Sequence, residues 1–168
     1  MAEMAEENFM LTTIYSNWKT YQEHIRDAVA PLTAEQLALE AAPHLRTVGQ
    51  LALHIIGCRA GWFTFTMGED WGAEGKAYAE LDERGAPART AAEMVQALDY
   101  TWQHMADCLA RWNDDDMRKT FEDDWGDGKI VHLSRAWIVY HVMEHDLHHG
   151  GELSLTLGMH GIPADFPG

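Results

Sequence analysis

The stretch from Trp137 to Glu152 reads Trp-Ile-Val-Tyr-His-Val-Met-Glu-His-Asp-Leu-His-His-Gly-Gly-Glu. With His141 at zero on a helical wheel, His145 falls near ~40°, His149 near ~80°, His148 near ~340° and Glu152 near ~20°. Ile138, Val142 and Thr156 stand near ~60°, ~100° and ~60° on the same wheel. The stretch is therefore a helix whose apolar arc carries His145 and His149 one turn apart, with His141 and His148 toward its edge. Side chains at i and i+4 project to neighbouring points on one helix face, so two such imidazoles can point at one ion. The alternative is a His-rich helix face turned to solvent. In an apolar stripe each ring must be neutral and hydrogen-bonded, which favours the metal reading.

The helix does not stand alone. A first long helix is predicted over about Met4 to Val29, with Phe9, Leu11, Ile14, Trp18, Tyr21 and Ile25 on its apolar side and Pro31 ending it. Thr33 to Gln36 forms a capping box for a short turn. Thr47 to Gln50 forms a second box, opening a long helix to about Met67. Gly68 to Arg89 reads as a loop. Thr90 to Glu93 caps a third long helix to about Trp112. Asn113 to Val131 is acidic and irregular, with a hairpin expected around Asp127-Gly128. The last helix runs from near Ser134 to about Leu157, followed by Gly158, Gly161 and a Pro-containing tail. Strand alternation is otherwise nearly absent. Four long helices in 168 residues predict an all-α four-helix bundle, one domain over residues 1–168, with long connections between helices.

Composition narrows the function. Twelve Lys and Arg against 27 Asp and Glu leave a net charge of −15. Nucleic acid and anionic membrane surfaces need a basic patch, so neither is an expected partner. No run approaches the length of a membrane span, and the acidic N-terminus lacks a secretory pattern. Two cysteines make no disulfide framework, which points to the cytoplasm. Ten histidines and seven tryptophans are the outliers.

Two ligands do not hold a catalytic metal; three with an open position do. His54 on the second long helix stands among Leu51, Cys58, Trp62 and Phe65 and supplies the missing partner. Cys58 is a possible fourth ligand, or a small buried hydrophobe. His145-Asp-Leu-His-His149 imitates the H-E-x-x-H of zinc proteases, with Asp146 in place of the Glu base. Asp is shorter, and it sits about 100° from His145 on the wheel. Leu147, three residues after Glu144, breaks the E-x-x-H of di-iron bundles. The G-x-S-x-G of serine hydrolases is missing.

One His in the second long helix, with H-x-x-H-H in the last, resembles the DinB/YfiT-like superfamily. Its members are bacterial four-helix bundles in which three histidines bind a divalent metal. The family ending, H-x-x-H-H-[basic]-G-Q, reads here His145-Asp-Leu-His148-His149-Gly150-Gly151-Glu152. Residues 153–162 also resemble the family's usual close. The resemblance implies His54, His145 and His149 as ligands of a divalent ion, with zinc or nickel expected. It implies a thiol S-transferase joining a low-molecular-weight thiol to a small electrophile. The alternative is a non-catalytic, dimeric metal-binding protein of the stress response; a homodimer is expected either way. Trp62, Phe65, Trp137 and Tyr140 are candidate pocket walls, and Tyr140 or His141 a candidate proton donor. Two residues depart from the family pattern. Gly150 replaces a basic residue that could hold an anionic thiol, and Glu152 replaces Gln.

Overall fold

Local chemistry starts three of the long helices where the sequence places them. A computed structural model describes residues 9–81, 87–124, 128–164 and 166. The long helices are α1 (Phe9–Val29), α3 (Val48–Gly61), α5 (Ala91–Arg111) and α7 (Arg135–Met159). Short helices α2 (Ala34–Leu37), α4 (Gly72–Ala79) and α6 (Asp114–Arg118) lie between them, with an antiparallel hairpin of β1 (Thr120–Asp124) and β2 (Ile130–Ser134). Thr33, Thr47 and Thr90 each accept from the N3 backbone N–H while the N3 side chain answers back, as three capping boxes. Ser134 caps α7 through the Trp137 N–H at 3.1 Å. Each cap satisfies donors that a helix start leaves without a partner.

The main helix contacts run from α3 to α5 and α7, and from α1 to α5 and α7. The four helices thus form a ring in which α1 lies diagonal to α3. This is the four-helix bundle expected, with α3 and α5 adjacent and the other sequential long helices, α1 and α3 and α5 and α7, diagonal. The chain reaches the diagonal through α2, and returns from α3 to α5 through α4.

Two corrections concern the connections. The segment 68–89 is not all loop, because α4 packs against α3. It lacks an apolar stripe, and its fit depends on Gly75, where a Cβ would meet the Trp71 Cβ at 2.4 Å. The second long helix changes pitch before Met67. Over Trp62–Thr66 it widens to a π-turn, closed by Met67 N–H donating to the Trp62 carbonyl at 3.0 Å. Such widenings recur at functional sites. This one keeps Phe63 fully buried and leaves Phe65 exposed. The hairpin expected within 121–131 pairs from Thr120↔Ser134 to Asp124↔Ile130; Asp127 of its turn lies outside the described residues.

The core has two apolar halves. One gathers Ile25, Val29, Val48, Ile56, Leu98 and Leu157; the other gathers Trp18, Phe63, Met105, Ile138 and Val142. Between them lies a buried polar layer. Arg59 Nε donates to both Asp146 oxygens at 3.0 Å and Nη2 donates to Oδ2 at 2.8 Å. Trp18 Nε1–H adds a bond to Oδ2 at 2.7 Å, and Arg59 Nη1 reaches Gln22 Oε1 at 2.6 Å. Both charged side chains are fully buried. The layer ties α1, α3 and α7 together at one level.

Candidate metal centre

α3 and α7 pack side by side, and their facing surfaces carry the histidines. His54 comes from α3, and His145 and His149 from successive turns of α7. One ring nitrogen from each lies within 4.8 Å of the others. His54 Nε2 and His145 Nε2 are 3.0 Å apart. The three ring centroids form a nearly regular triangle, with sides of 4.5, 4.5 and 4.4 Å. All three residues are half-buried.

The electrostatics keep the His145 and His149 rings neutral. Burial, with His149, His54, His141 and Arg46 nearby, pushes the His145 imidazole down to about 2. Burial also lowers His149, and the Glu152 carboxylate at 2.7 Å from its Nδ1 pulls partly against that. A neutral imidazole has the lone pair that coordination requires.

The donors present fit a borderline divalent ion. Bonds of about 2.0–2.1 Å to one ion put two imidazole nitrogens roughly 3.0–3.4 Å apart, which the His54–His145 spacing matches. His145 Nδ1 is buried with no hydrogen-bond partner, so the contact with His54 satisfies only one of that ring's two nitrogens. Glu152 holds His149 Nδ1, leaving Nε2 for a ligand. A carboxylate behind a ligating histidine fixes its tautomer and raises its basicity.

The triad stands at the wall of a 570 Å³ cavity, within the range of small-molecule sites. Trp62, Phe65, His141 and Cys58 also line it. Trp137 stands behind His141, stacked on it at 5.0 Å between centroids with planes 10° apart. Tyr140 lies outside the lining and is 55% exposed. His148 is exposed, contacts Glu152 at 3.4 Å and packs edge-on against the His149 ring at 4.7 Å between centroids.

The structure also places Asp146, Arg59 and Gly150. Asp146, the imitation of a protease base, is sealed in the core. Burial pushes its carboxyl up, while Arg59 and Trp18 pull it down. Arg59 is its partner and is buried too. Gly150 does not face the cavity. A Cβ there would meet the Tyr21 ring at 2.7 Å, and Tyr21 O–H donates to the Leu147 carbonyl at 3.0 Å. Glycine is thus needed at position 150 because α1 crosses close over α7. The sequence signal missed was Arg59 inside an apolar run, a charge that only a buried partner explains.

Similarity to known proteins agrees with this fold. The DinB family model matches residues 4–164. A DinB-like protein from Bacillus cereus ATCC 10987 shares the fold with TM-score 0.70 at 20% identity, over 91% of this chain and 94% of that one. The DinB-like protein YjoA of Bacillus subtilis does so with TM-score 0.64 at 13% identity, over 93% and 96%. No curated protein matches the chain. Among the described residues no helix is long and apolar enough to cross a membrane. With its helix order, its three converging histidines and a family match across nearly its whole length, the chain belongs to the DinB family.

Proposed function

We propose that the chain binds one divalent ion at His54, His145 and His149 and uses it to transfer a low-molecular-weight thiol to a small electrophile. The observation that carries this reading is the position of the triad. It opens on a cavity of 570 Å³, whereas a structural site would be closed by protein ligands.

A divalent ion held by neutral imidazoles supplies a Lewis acid that lowers the pKa of a thiol brought to it. The residues of the chain do the rest. Trp62 and Phe65 pack against the apolar body of the electrophile. The thiol sulfur bonds to the electrophilic carbon as the leaving group departs with the bonding electron pair. His141 gives that group a proton, and the thiol proton passes to solvent. Glu152 holds His149 in one tautomer throughout. Zinc or nickel suits the imidazole set. The reading places the protein in the cytoplasm as a homodimer, for which the exposed Tyr140, Leu147 and Leu155 of α7 supply apolar surface.

Cobalt substitution tests the reading. A thiol sulfur reaching the ion produces a near-ultraviolet charge-transfer band, and His149→Ala abolishes it. If no small thiol perturbs the cobalt spectrum, the transferase reading fails and the non-catalytic metal-binding, stress-response reading takes its place.

A further inference from the structure

The hairpin closes one side of the cavity with a residue that breaks its own pattern. β1 alternates exposed and half-buried positions, and Phe121 and Asp123 take the two inward ones. Their partners across the ladder are Leu133 and Val131, both half-buried. Three of these four inward positions are apolar, as a strand packed on a bundle requires. The fourth is a carboxylate. A polar residue at an inward position costs free energy unless something pairs with it. Asp123 lines the 570 Å³ cavity, and its carboxylate makes no hydrogen bond or ion pair with the described residues. Its neighbour Glu122, by contrast, points outward beside His132 at 3.9 Å, as solvated strand charges do.

The rest of the lining sharpens the point. Among the described residues Asp123 is the one carboxylate at the cavity, and no Lys or Arg lines it. Trp62, Phe65 and His141 offer aromatic surface there. Aromatic faces and an unpaired carboxylate attract the same kind of group, a cation on an apolar body. The chain's net charge of −15 adds to the attraction and repels anions.

From this juxtaposition we infer that Asp123 selects substrates carrying a protonated amine, with the amine on the hairpin side and the aromatic or aliphatic body against Trp62 and Phe65. The inference rests on the reading of this cavity as the substrate site. Local rules of patterning are broken most often where function requires it, and here the break faces the candidate metal centre.

Three probes of matched size decide it: phenethylamine, phenethyl alcohol and 3-phenylpropionate. Each is titrated into the full chain, with and without zinc, and binding is read from the shift of the Trp62 indole N–H resonance. The amine is expected to bind about tenfold more tightly than the alcohol at low salt, a difference suited to one partly buried charge-assisted contact. The carboxylate should bind least. Asp123→Asn should bring the amine to within about twofold of the alcohol, and Asp123→Glu should keep the preference. If the asparagine variant folds poorly, the loss of preference at high salt in the unaltered chain serves in its place. An amine no better than the alcohol, a preference that survives Asp123→Asn in a folded variant, or no binding by any probe overturns the inference. Failure of this test beside a positive cobalt–thiol band leaves the transferase reading intact. Success beside a silent cobalt spectrum leaves the amine site without the thiol chemistry.

Discussion

Replacing Asp146 by Asn tests what holds the bundle in register. The change keeps the side-chain size and one acceptor for the Trp18 indole, but removes the negative charge. Arg59 cannot lose its proton, and its guanidinium is fully buried with Gln22 as the remaining acceptor. Breaking one partner out of a buried pair costs about 3–5 kcal/mol, because the other charge stays buried without compensation. For a chain of this size each kcal/mol moves Tm by about 2–4 °C, so Asp146→Asn should melt roughly 6–20 °C lower. Urea unfolding in the presence of a chelator measures the loss without a contribution from bound metal. The second arm is Arg59→Met with Asp146→Leu. That pair removes both charges but strands the Gln22 amide and the Trp18 N–H, each worth about 1–3 kcal/mol when unpaired. It should therefore recover part of the loss and not all. A loss below about 1 kcal/mol for Asp146→Asn would refute the reasoning, since it would show that Arg59 finds water or another acceptor.

Four further outcomes follow from the site. His54→Ala, His145→Ala and His149→Ala should each lose most of a roughly stoichiometric divalent ion, read by elemental analysis after gel filtration, while His148→Ala keeps it. Glu152→Gln should weaken zinc binding by about tenfold or more in a chelator competition, since it keeps the hydrogen bond to His149 but not the charge. Chelation should lower Tm yet leave the far-ultraviolet circular dichroism helical, because the two apolar core halves do not depend on the ion. The metal-free protein should lose stability as pH falls from about 7 toward 5.5, above the range of ordinary carboxylates. The sign follows from His145: its folded value lies near 2, below the ordinary 6.5, so the unfolded chain takes up the proton first. His145→Ala should flatten that slope.

The parts of the fold legible in the sequence are those written in local chemistry. Thr33, Thr47 and Thr90 announce helix starts because the capping box is complete within four residues. The His145 and His149 pair was legible for the same reason, since spacing alone puts both on one face. His54 needed one more step, a search for a third ligand on another interior face. What stayed hidden depends on contacts distant in sequence. α4 forms against α3, and its Gly72 and Gly75 argue locally against a helix. Gly150 looks like a lost cation until Tyr21 is seen across it. α6 was different: its Asn113 and Asp116 box was present in the sequence but lay within an acidic run that read as irregular.

The position of the Arg59–Asp146 pair explains why the histidines meet. Asp146 is next to His145 in sequence, and Arg59 follows His54 by five residues. On a helix, neighbours in sequence stand about 100° apart. Fixing Asp146 in the core therefore fixes His145 at the flank of α7, where the cavity lies, and His149 one turn further on. A rotation of α7 by one residue would carry His145 inward, opposite a guanidinium that needs a carboxylate. It would also press His149 against Tyr21, at a place where only a glycine fits. The imidazole would clash there, and the Asp146 carboxylate would be drawn out of the core. The buried pair adds little net stability compared with an apolar core, but it makes the wrong rotations costly. The same residues that divide the core into two halves thus aim three imidazoles at one point.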